Sequence, residues 1–158
     1  MHALKELESL IQGTIDGDKI SCFAEQNTLV ALSLRYCGLT TLPDSLSQLT
    51  NLQFLDLTGN QLVVLPDWIG RFPKLRRLYV DDNRLAFLPE SLGELNNLEE
   101  LHADVNQLVA LPVSIGQLTS LRRLYLYDNR LTSVPAEYTD PLCQDSDSAR
   151  FPCSCVLS

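Results

Sequence analysis

The protein has 158 residues, of which 20 are acidic and 12 are basic, so its net charge at neutral pH is −8. This length fits one domain with a single core. The acidic balance argues against a nucleic-acid backbone or a bare anionic membrane as the main partner. No apolar run reaches the ~18 residues needed to span a bilayer. Five unevenly placed cysteines do not resemble a disulfide framework, so a reducing compartment is expected.

The segment 1–28 is predicted to be a helical cap. Apolar residues recur at helical spacing in a stretch otherwise rich in Lys and Glu, at Leu4, Leu7, Leu10 and Ile11. A second short apolar cluster follows at Ile20, Cys22 and Phe23. A membrane-surface helix is the alternative, but it needs a basic polar face, and here that face is acidic or mixed. The segment that follows is repetitive, and the first copy of a repeat must be covered at its open end.

From Leu29 onward the sequence repeats every 23 residues. The third copy reads LRRLYVDDNRLAFLPESLGELNN and has leucine-type residues at seven positions. No insertion or deletion separates the copies, which start at Leu29, Leu52, Leu75, Leu98 and Leu121. A fixed period of this length is typical of a solenoid, in which no copy can bury its apolar face without a neighbour.

The pattern LxxLxLxxNxLxxLPxxLGxLxx resembles the leucine-rich repeat family, specifically its 23-residue LPxxLG class. The resemblance implies an α/β fold, a right-handed solenoid of five repeats. Each LxxLxL segment should be a short strand whose alternate leucines point inward, and the strands should pair in parallel on the concave side. The chain would then comprise a cap (1–28), a solenoid (29–138) and a flexible tail (139–158).

Several recurring residues are interpreted as structural. An asparagine amide can bridge backbone groups that would be buried where the chain turns inward, at Asn60, Asn83, Asn106 and Asn129. Cys37 takes this place in the first repeat and is read as structural rather than reactive. Leu-Pro steps, often followed by an acidic residue, are suited to start a one-turn helix on the convex side. Glycines are expected to end that turn, at Gly70, Gly93 and Gly116.

Function is expected on the concave face, at strand positions that point away from the core. Exposed tyrosines and arginines together have the composition of binding hot spots. We therefore predict a protein-binding site formed by Arg77, Tyr79, Asp81, Glu100, His102, Asp104, Arg123, Tyr125 and Tyr127. The alternative is a strand face that tolerates tyrosines and solvated ion pairs without any partner.

Catalysis, a metal and a cofactor are not predicted. His102 beside Asp104 could suggest a metal site or a general base. A metal needs three or four converging ligands, and here a single histidine stands in a row of tyrosines. No Ser or Cys occupies a matching position as nucleophile, so His102 is predicted to be exposed and non-catalytic. The pairs Arg76-Arg77 and Arg122-Arg123 face Glu99-Glu100 and predict a cross-strand charge ladder rather than nucleic-acid binding.

The tail after Tyr138 is polar and ends on Cys155-Val156-Leu157-Ser158. This is a CaaX box of the kind associated with farnesylation, and the ending resembles the lipidated terminus of Ras-type small GTPases. One prenyl chain gives only marginal membrane residence, so a second signal is required. The tail has no basic run, which leaves Cys153 as the palmitoylation candidate beside the prenylated Cys155, with Cys143 a weaker one. A chance match of four residues is the alternative.

The leading hypothesis is a non-enzymatic adaptor that binds a protein on its concave face and is held by lipid on the cytosolic face of a eukaryotic membrane. The resemblance implies partners such as small GTPases, phosphatase subunits or other signalling proteins. If the source is a bacterium, the tail implies an effector that is injected into a host cell and lipidated there. The alternative is a soluble, cytoplasmic recognition module or inhibitor with an unmodified C-terminus. An enzyme ranks third, because no segment large enough for a catalytic domain follows Tyr138.

Overall fold

The computed structural model describes residues 20–133 and 135. Within this part of the chain, one sheet contains six strands in sequence order: β1 (Ser21–Glu25), β2 (Thr28–Ser33), β3 (Phe54–Asp56), β4 (Arg77–Tyr79), β5 (Glu100–His102) and β6 (Arg123–Tyr125). Strands β2 to β6 are parallel, and Leu55 pairs with Leu78, its equivalent in the next repeat. The same one-repeat offset relates every neighbouring pair from β2 to β6. Equivalent residues of successive coils therefore lie side by side, as the parallel concave sheet requires.

The first strand corrects part of the predicted helical cap (1–28), because its residues 21–25 form a strand rather than a helix. β1 runs antiparallel to β2, and the two are joined by a tight turn at Gln26 and Asn27, both of which have positive φ. Two such residues in a row form the turn whose twist suits a hairpin. β1 covers the edge of β2, whose backbone groups would otherwise be free to pair with another chain. The helical pattern of residues 1–12 lies outside the described residues.

Among the described residues, the convex side contains four short 3₁₀ helices, one in each of the coils that start at Leu29, Leu52, Leu75 and Leu98. Their bounds are η1 (Asp44–Gln48), η2 (Asp67–Arg71), η3 (Glu90–Glu94) and η4 (Val113–Gln117), and a proline precedes each. The Leu-Pro steps thus start a helical turn, as predicted. Acidic residues also connect neighbouring coils: the Glu90 carboxylate accepts the backbone N–H groups of Val113 and Ser114 at 3.1 and 3.0 Å. These hydrogen bonds lower the pKa of Glu90.

The glycines of the convex side do not end the helices. Gly70 and Gly93 lie inside η2 and η3. A Cβ atom on Gly70 would overlap the Ser91 carbonyl oxygen, and one on Gly93 would come within 2.5 Å of the Ser114 Cβ. These glycines are therefore required by the close approach of the next coil rather than by helix termination.

The core fills the space between the sheet and the 3₁₀ helices, and leucines dominate it. Asn83 shows how the recurring asparagines serve this core. Its amide nitrogen donates to the carbonyl oxygens of Leu57 and Val80, and its side-chain oxygen accepts the Leu62 N–H, at 3.0, 3.1 and 3.0 Å. The predicted bridging role of the asparagines is confirmed, with Asn60, Asn106 and Asn129 making equivalent bonds. Within the described residues, no helix is long and apolar enough to cross a bilayer.

A left-handed corner precedes the asparagine position in each coil. The corner residue has positive φ whatever its type, at Tyr36, Gly59, Asp82, Val105 and Asp128. Asp tolerates this conformation better than most residues, whereas it is strained for a β-branched side chain. Val105, with φ 53°, is therefore the most strained of these corners.

Candidate functional site

The outward-facing residues of β3 to β6 form the concave surface on which the site was predicted. In β4 and the residue after it, Leu78 and Val80 are fully buried. Arg77 is exposed and Tyr79 is half-buried on the opposite face. The alternation follows from the two-residue period of a strand. Because the coils are in register, Arg77 pairs with Glu100 and Tyr79 with His102, and these pair in turn with Arg123 and Tyr125.

Four rings form a continuous row across the middle of this surface, which we call the aromatic stack (Phe54, Tyr79, His102 and Tyr125). Phe54 meets Tyr79 edge-on, with 5.1 Å between the ring centroids. His102 lies between the two tyrosines, with centroid distances of 4.0 Å to Tyr79 and 4.1 Å to Tyr125. Neighbouring strands are about 4.8 Å apart, so rings at equivalent positions are brought into contact by the sheet itself.

His102 is not the exposed residue that was predicted. Its side chain is only 22% exposed, because both faces of the ring are covered by tyrosines. Nδ1 lies 3.8 Å from the Asp81 carboxylate and Nε2 lies 3.7 Å from that of Glu100. These contacts place a basic side chain between two carboxylates at the centre of the surface. Among the described residues, no group of three or more His, Cys, Asp or Glu side chains is arranged to hold a metal ion.

The predicted charge ladder is present along the start of the strands. Arg76 pairs with Glu99 at 3.6 Å, and the Arg123 guanidinium donates to Glu100. Glu100 also accepts the Tyr79 hydroxyl at 3.3 Å. Burial alone would raise the pKa of Glu100, but the hydrogen bond and charge of Arg123, together with the hydrogen bond from Tyr79, lower it. Burial and the neighbouring Glu100 raise the pKa of Tyr79.

Asp81 and Asp104 lie at the other end of the strands and connect the coils. One Asp81 oxygen accepts the Asp104 N–H at 2.8 Å, and one Asp104 oxygen accepts the Tyr127 N–H at 2.6 Å. The second oxygen of each carboxylate is not used in this ladder. Burial raises the pKa of both Asp81 and Asp104, despite these hydrogen bonds.

The structure thus brings all nine predicted residues onto one surface, with different exposures. Tyr127 is 48% exposed, and its backbone N–H donates to Asp104. Tyr79 and Tyr125 were expected to be exposed but are half-buried by their stacking. The predicted set omitted Phe54, which begins the stack and carries the Arg77 guanidinium 5.2 Å above its ring. Phe54 could have been identified from the sequence, because it occupies an outward position of β3 two residues before Asp56, the residue that pairs with Tyr79.

A second row of apolar side chains was not predicted. It lies in the turns after the asparagine corners, where Val63, Val64, Phe87 and Val109 are exposed. Equivalent positions in successive coils again lie side by side, so the row runs along the flank of the solenoid. It does not include any residue of the predicted site.

Parallel strands in register, an asparagine at the turn of four successive coils and a leucine core define a leucine-rich repeat protein. The family model for a leucine-rich repeat region matches residues 6–143, and the chain belongs to this family. The leucine-rich repeat fold is typical of protein-interaction modules.

Two solved structures show the same architecture. A leucine-rich repeat protein from Leptospira interrogans is 36% identical, with a TM-score of 0.61 over 66% of this chain and 33% of its own. A chain of the BIR3–SERK2 complex from Arabidopsis thaliana is 32% identical, with a TM-score of 0.66 over 82% of this chain and 70% of its own. The protein thus spans about a third of the leptospiral chain. Among curated proteins, none matches the sequence.

Proposed function

We propose that the protein binds a partner protein on its concave face, through the aromatic stack and the charged residues on either side of it. The observation that carries the proposal is the stack itself: aromatic rings held in a row on a rigid parallel sheet. Tyrosine and arginine side chains are enriched in binding hot spots, because they bury large surfaces at a low cost in conformational entropy. A surface that only needed to be soluble would not require them.

The comparisons support binding as the class of function. One structural neighbour is a chain of a complex between two named proteins, which supports protein binding by this fold. For the partner of this protein, we infer a signalling protein such as a small GTPase or a phosphatase subunit, which the 23-residue LPxxLG pattern implies. A soluble recognition module or inhibitor is the alternative, and it would use the same surface.

The double variant Tyr79→Ala/Tyr125→Ala tests the proposal. Affinity capture from eukaryotic cells with tagged wild-type protein should recover a partner that binds the purified protein directly, and the variant should lose most of this binding. Its melting temperature should change little, because these rings lie on the surface of the sheet rather than in the leucine core. A clearly lower melting temperature of the variant would instead show that the two rings stabilise the fold.

Tyr36→Ala is the matched control. This tyrosine is 58% exposed and packs on Gly59, away from the stack. The Tyr36→Ala variant also removes a tyrosine side chain, but away from the stack, so it should bind the partner as well as the wild type does. Equal loss of binding in both variants would contradict a site on the stack.

Membrane anchoring through Cys155 and Cys153 stays a prediction from the sequence, since both residues lie outside the described range. It requires Ser158 to be the last residue of the mature protein, because prenylation acts on a terminal CaaX box. Host-cell targeting, if the source is bacterial, depends on the same modification. The role of the anchor would be to concentrate the concave face at a membrane.

Expression in eukaryotic cells tests the anchor. Mass spectrometry of the C-terminal peptide should find a prenyl group on Cys155, and Cys155→Ser should move the protein from membranes to the cytosol. Cys143→Ser is the control and should leave most of the protein at membranes. A cytosolic wild-type protein with an unmodified Cys155 would favour the soluble alternative.

A further inference from the structure

The concave face has opposite charges at its two ends. We call the start of β4 to β6 the basic end, with Arg76, Arg77, Glu99, Glu100, Arg122 and Arg123, and the region after these strands the acidic end, with Asp81, Asp82, Asp104 and Asp128. Arg77 and Asp81 are four positions apart along an extended segment, which separates the two ends by about 13 Å. The aromatic stack runs between them.

Much of this charge has no opposite partner within the described residues. At the basic end, two arginines are paired with Glu99 and Glu100, while Arg77 lies over the Phe54 ring and Arg122 makes no ion pair with a described residue. At the acidic end, no Lys or Arg of the described residues forms an ion pair with any of the four aspartates, and the basic group nearest to them is His102, whose Nδ1 lies 3.8 Å from the Asp81 carboxylate. The free protein thus has a net positive charge at one end of this surface and a net negative charge at the other.

The acidic end is also suited to receive a cation. Asp81 and Asp104 are half-buried, and burial raises the pKa of each, so their ionised forms are poorly solvated. The hydrogen bonds from the Asp104 and Tyr127 backbones use one oxygen of each carboxylate. The other oxygen accepts no backbone donor in this ladder, and in Asp81 it lies 3.8 Å from His102 Nδ1. Tyr127 beside them offers an exposed ring, and a cation over such a ring gains further stabilisation.

This inference rests on the proposed function. We propose that the segment of the partner that binds the concave face has opposite charges at its two ends. Its Lys or Arg residues would lie opposite Asp81 and Asp104, and its Asp or Glu residues opposite Arg77 and Arg122. Its middle would place apolar or aromatic side chains against the stack. A segment of uniform charge, either acidic or basic, would meet like charge at one end, which costs affinity. The two ends thus fix the direction in which a segment lies across the strands.

A peptide selection tests this inference. A phage-displayed library of random linear peptides is selected on the purified protein and counter-selected on Tyr79→Ala/Tyr125→Ala, which removes peptides that bind elsewhere. The recovered peptides should carry basic residues toward one end and acidic residues toward the other. Their affinities are then measured by fluorescence polarisation with synthetic peptides at low and high salt.

Charge-neutralising variants locate the contacts. Asp81→Asn/Asp104→Asn keeps the acceptor oxygens and should weaken a selected peptide by roughly 5–20-fold at low salt, with a smaller effect at high salt. The same substitution should have no effect on a peptide whose basic residues are replaced by Gln. Arg77→Gln/Arg122→Gln should also weaken a selected peptide, and should have no effect on a peptide whose acidic residues are replaced by Gln. This second pair replaces the Asn pair as the test if the Asn pair lowers the melting temperature of the protein. Asp67→Asn/Glu94→Gln on the convex side is the control and should change nothing.

The outcomes separate the two proposals. Peptides that depend on the stack but have no charge polarity, or that bind the neutralised variants normally, would overturn the inference and leave the proposed function standing. A selection in which no peptide depends on the stack would contradict the proposed function itself, and this inference with it.

Discussion

The asparagine corners and the concave face follow opposite rules, although both recur along the solenoid. At the corners, Asn60, Asn83 and Asn106 make nearly the same hydrogen bonds to their own coil and to the preceding one. On the concave face, equivalent positions hold Phe54, Arg77 and Glu100, three side chains with different chemistry. The comparison indicates that the repeat retains what the backbone needs in each coil and leaves the outward positions free to specify a partner.

Asn83→Ala should give the largest loss of stability. It removes a buried amide and leaves the backbone groups of Leu57, Val80 and Leu62 without their partner. The free energy of unfolding should fall by about 2–4 kcal/mol, since several buried polar groups lose hydrogen bonds together. Urea unfolding measures the change. Asn96→Ala, which removes an exposed amide bonded only to the nearby Glu94 carbonyl, should cost less than ~0.5 kcal/mol. Similar losses for both would remove the distinction between the corners and the surface.

Gly93→Ala should have the next largest effect. The new methyl group would lie 2.5 Å from the Ser114 Cβ and 2.7 Å from the Ser114 carbonyl oxygen. Separating the two coils to relieve this overlap should cost about 1–3 kcal/mol, measured in the same unfolding experiment. Adding Ser114→Gly should recover part of the loss. No recovery would indicate that the backbone contact, rather than the side chain, limits the approach of the coils.

Val105→Asn should stabilise the protein. The corner conformation is strained for valine, and Asp82 and Asp128 occupy the equivalent corners with nearly the same φ. Relief of this strain should add roughly 0.5–1.5 kcal/mol to the free energy of unfolding. Val109→Asn, which changes an exposed valine outside the positive-φ corners of the same coil, should bring no gain. A gain from both would show that replacing an exposed valine with a polar side chain is enough to stabilise the protein, without any relief of backbone strain.

The smallest effects are expected at the two ends of the concave face, where the pH dependence should differ in sign. The pKa of Asp81 is raised above its ordinary value of 3.8, so the folded state is penalised as the pH rises through the interval above that value. Asp81→Asn should therefore raise the melting temperature at pH 7, and the gain should vanish toward pH 3.8.

The pKa of Glu100 is lowered below its ordinary value of 4.5, so its contribution to stability is complete above pH 4.5 and is lost as the pH falls through the folded-state pKa. Glu100→Gln should lower the melting temperature at pH 7 and match the wild type at a pH below that pKa. Thermal melts of both variants from pH 3 to pH 7 check the signs. Two variants that shift the melting temperature in the same direction at pH 7 would contradict the electrostatic difference between the two ends.

The features that repeat could be predicted from the sequence, because the same pattern of residues recurs in each coil. The strand positions around Leu55, Leu78 and Leu101 follow from the leucine spacing, and the bridging role of Asn83 follows from its place after each strand. The outward columns follow from the period of a strand. This is why all nine predicted site residues lie on one surface.

The features that occur once, or that depend on the distance between coils, could not be predicted in this way. β1 occurs once, and the prediction extended a helical pattern from residues 1–12 across it. The burial of His102 depends on its contact with Tyr79 and Tyr125, which belong to the preceding and the following repeat. The role of Gly93 depends in the same way on Ser114 in the following coil.

The backbone ladder has a consequence for how such a surface can change. Backbone N–H groups of each coil donate to backbone carbonyl oxygens of the next, as Leu57 does to Tyr79 and Val80 does to His102. These hydrogen bonds involve no outward side chain. A substitution at an outward position therefore disturbs only its own coil and the two neighbours, while the rest of the stack keeps its geometry. New specificities can accordingly be acquired by mutation of one coil at a time, without a compensating change beyond the two neighbouring coils.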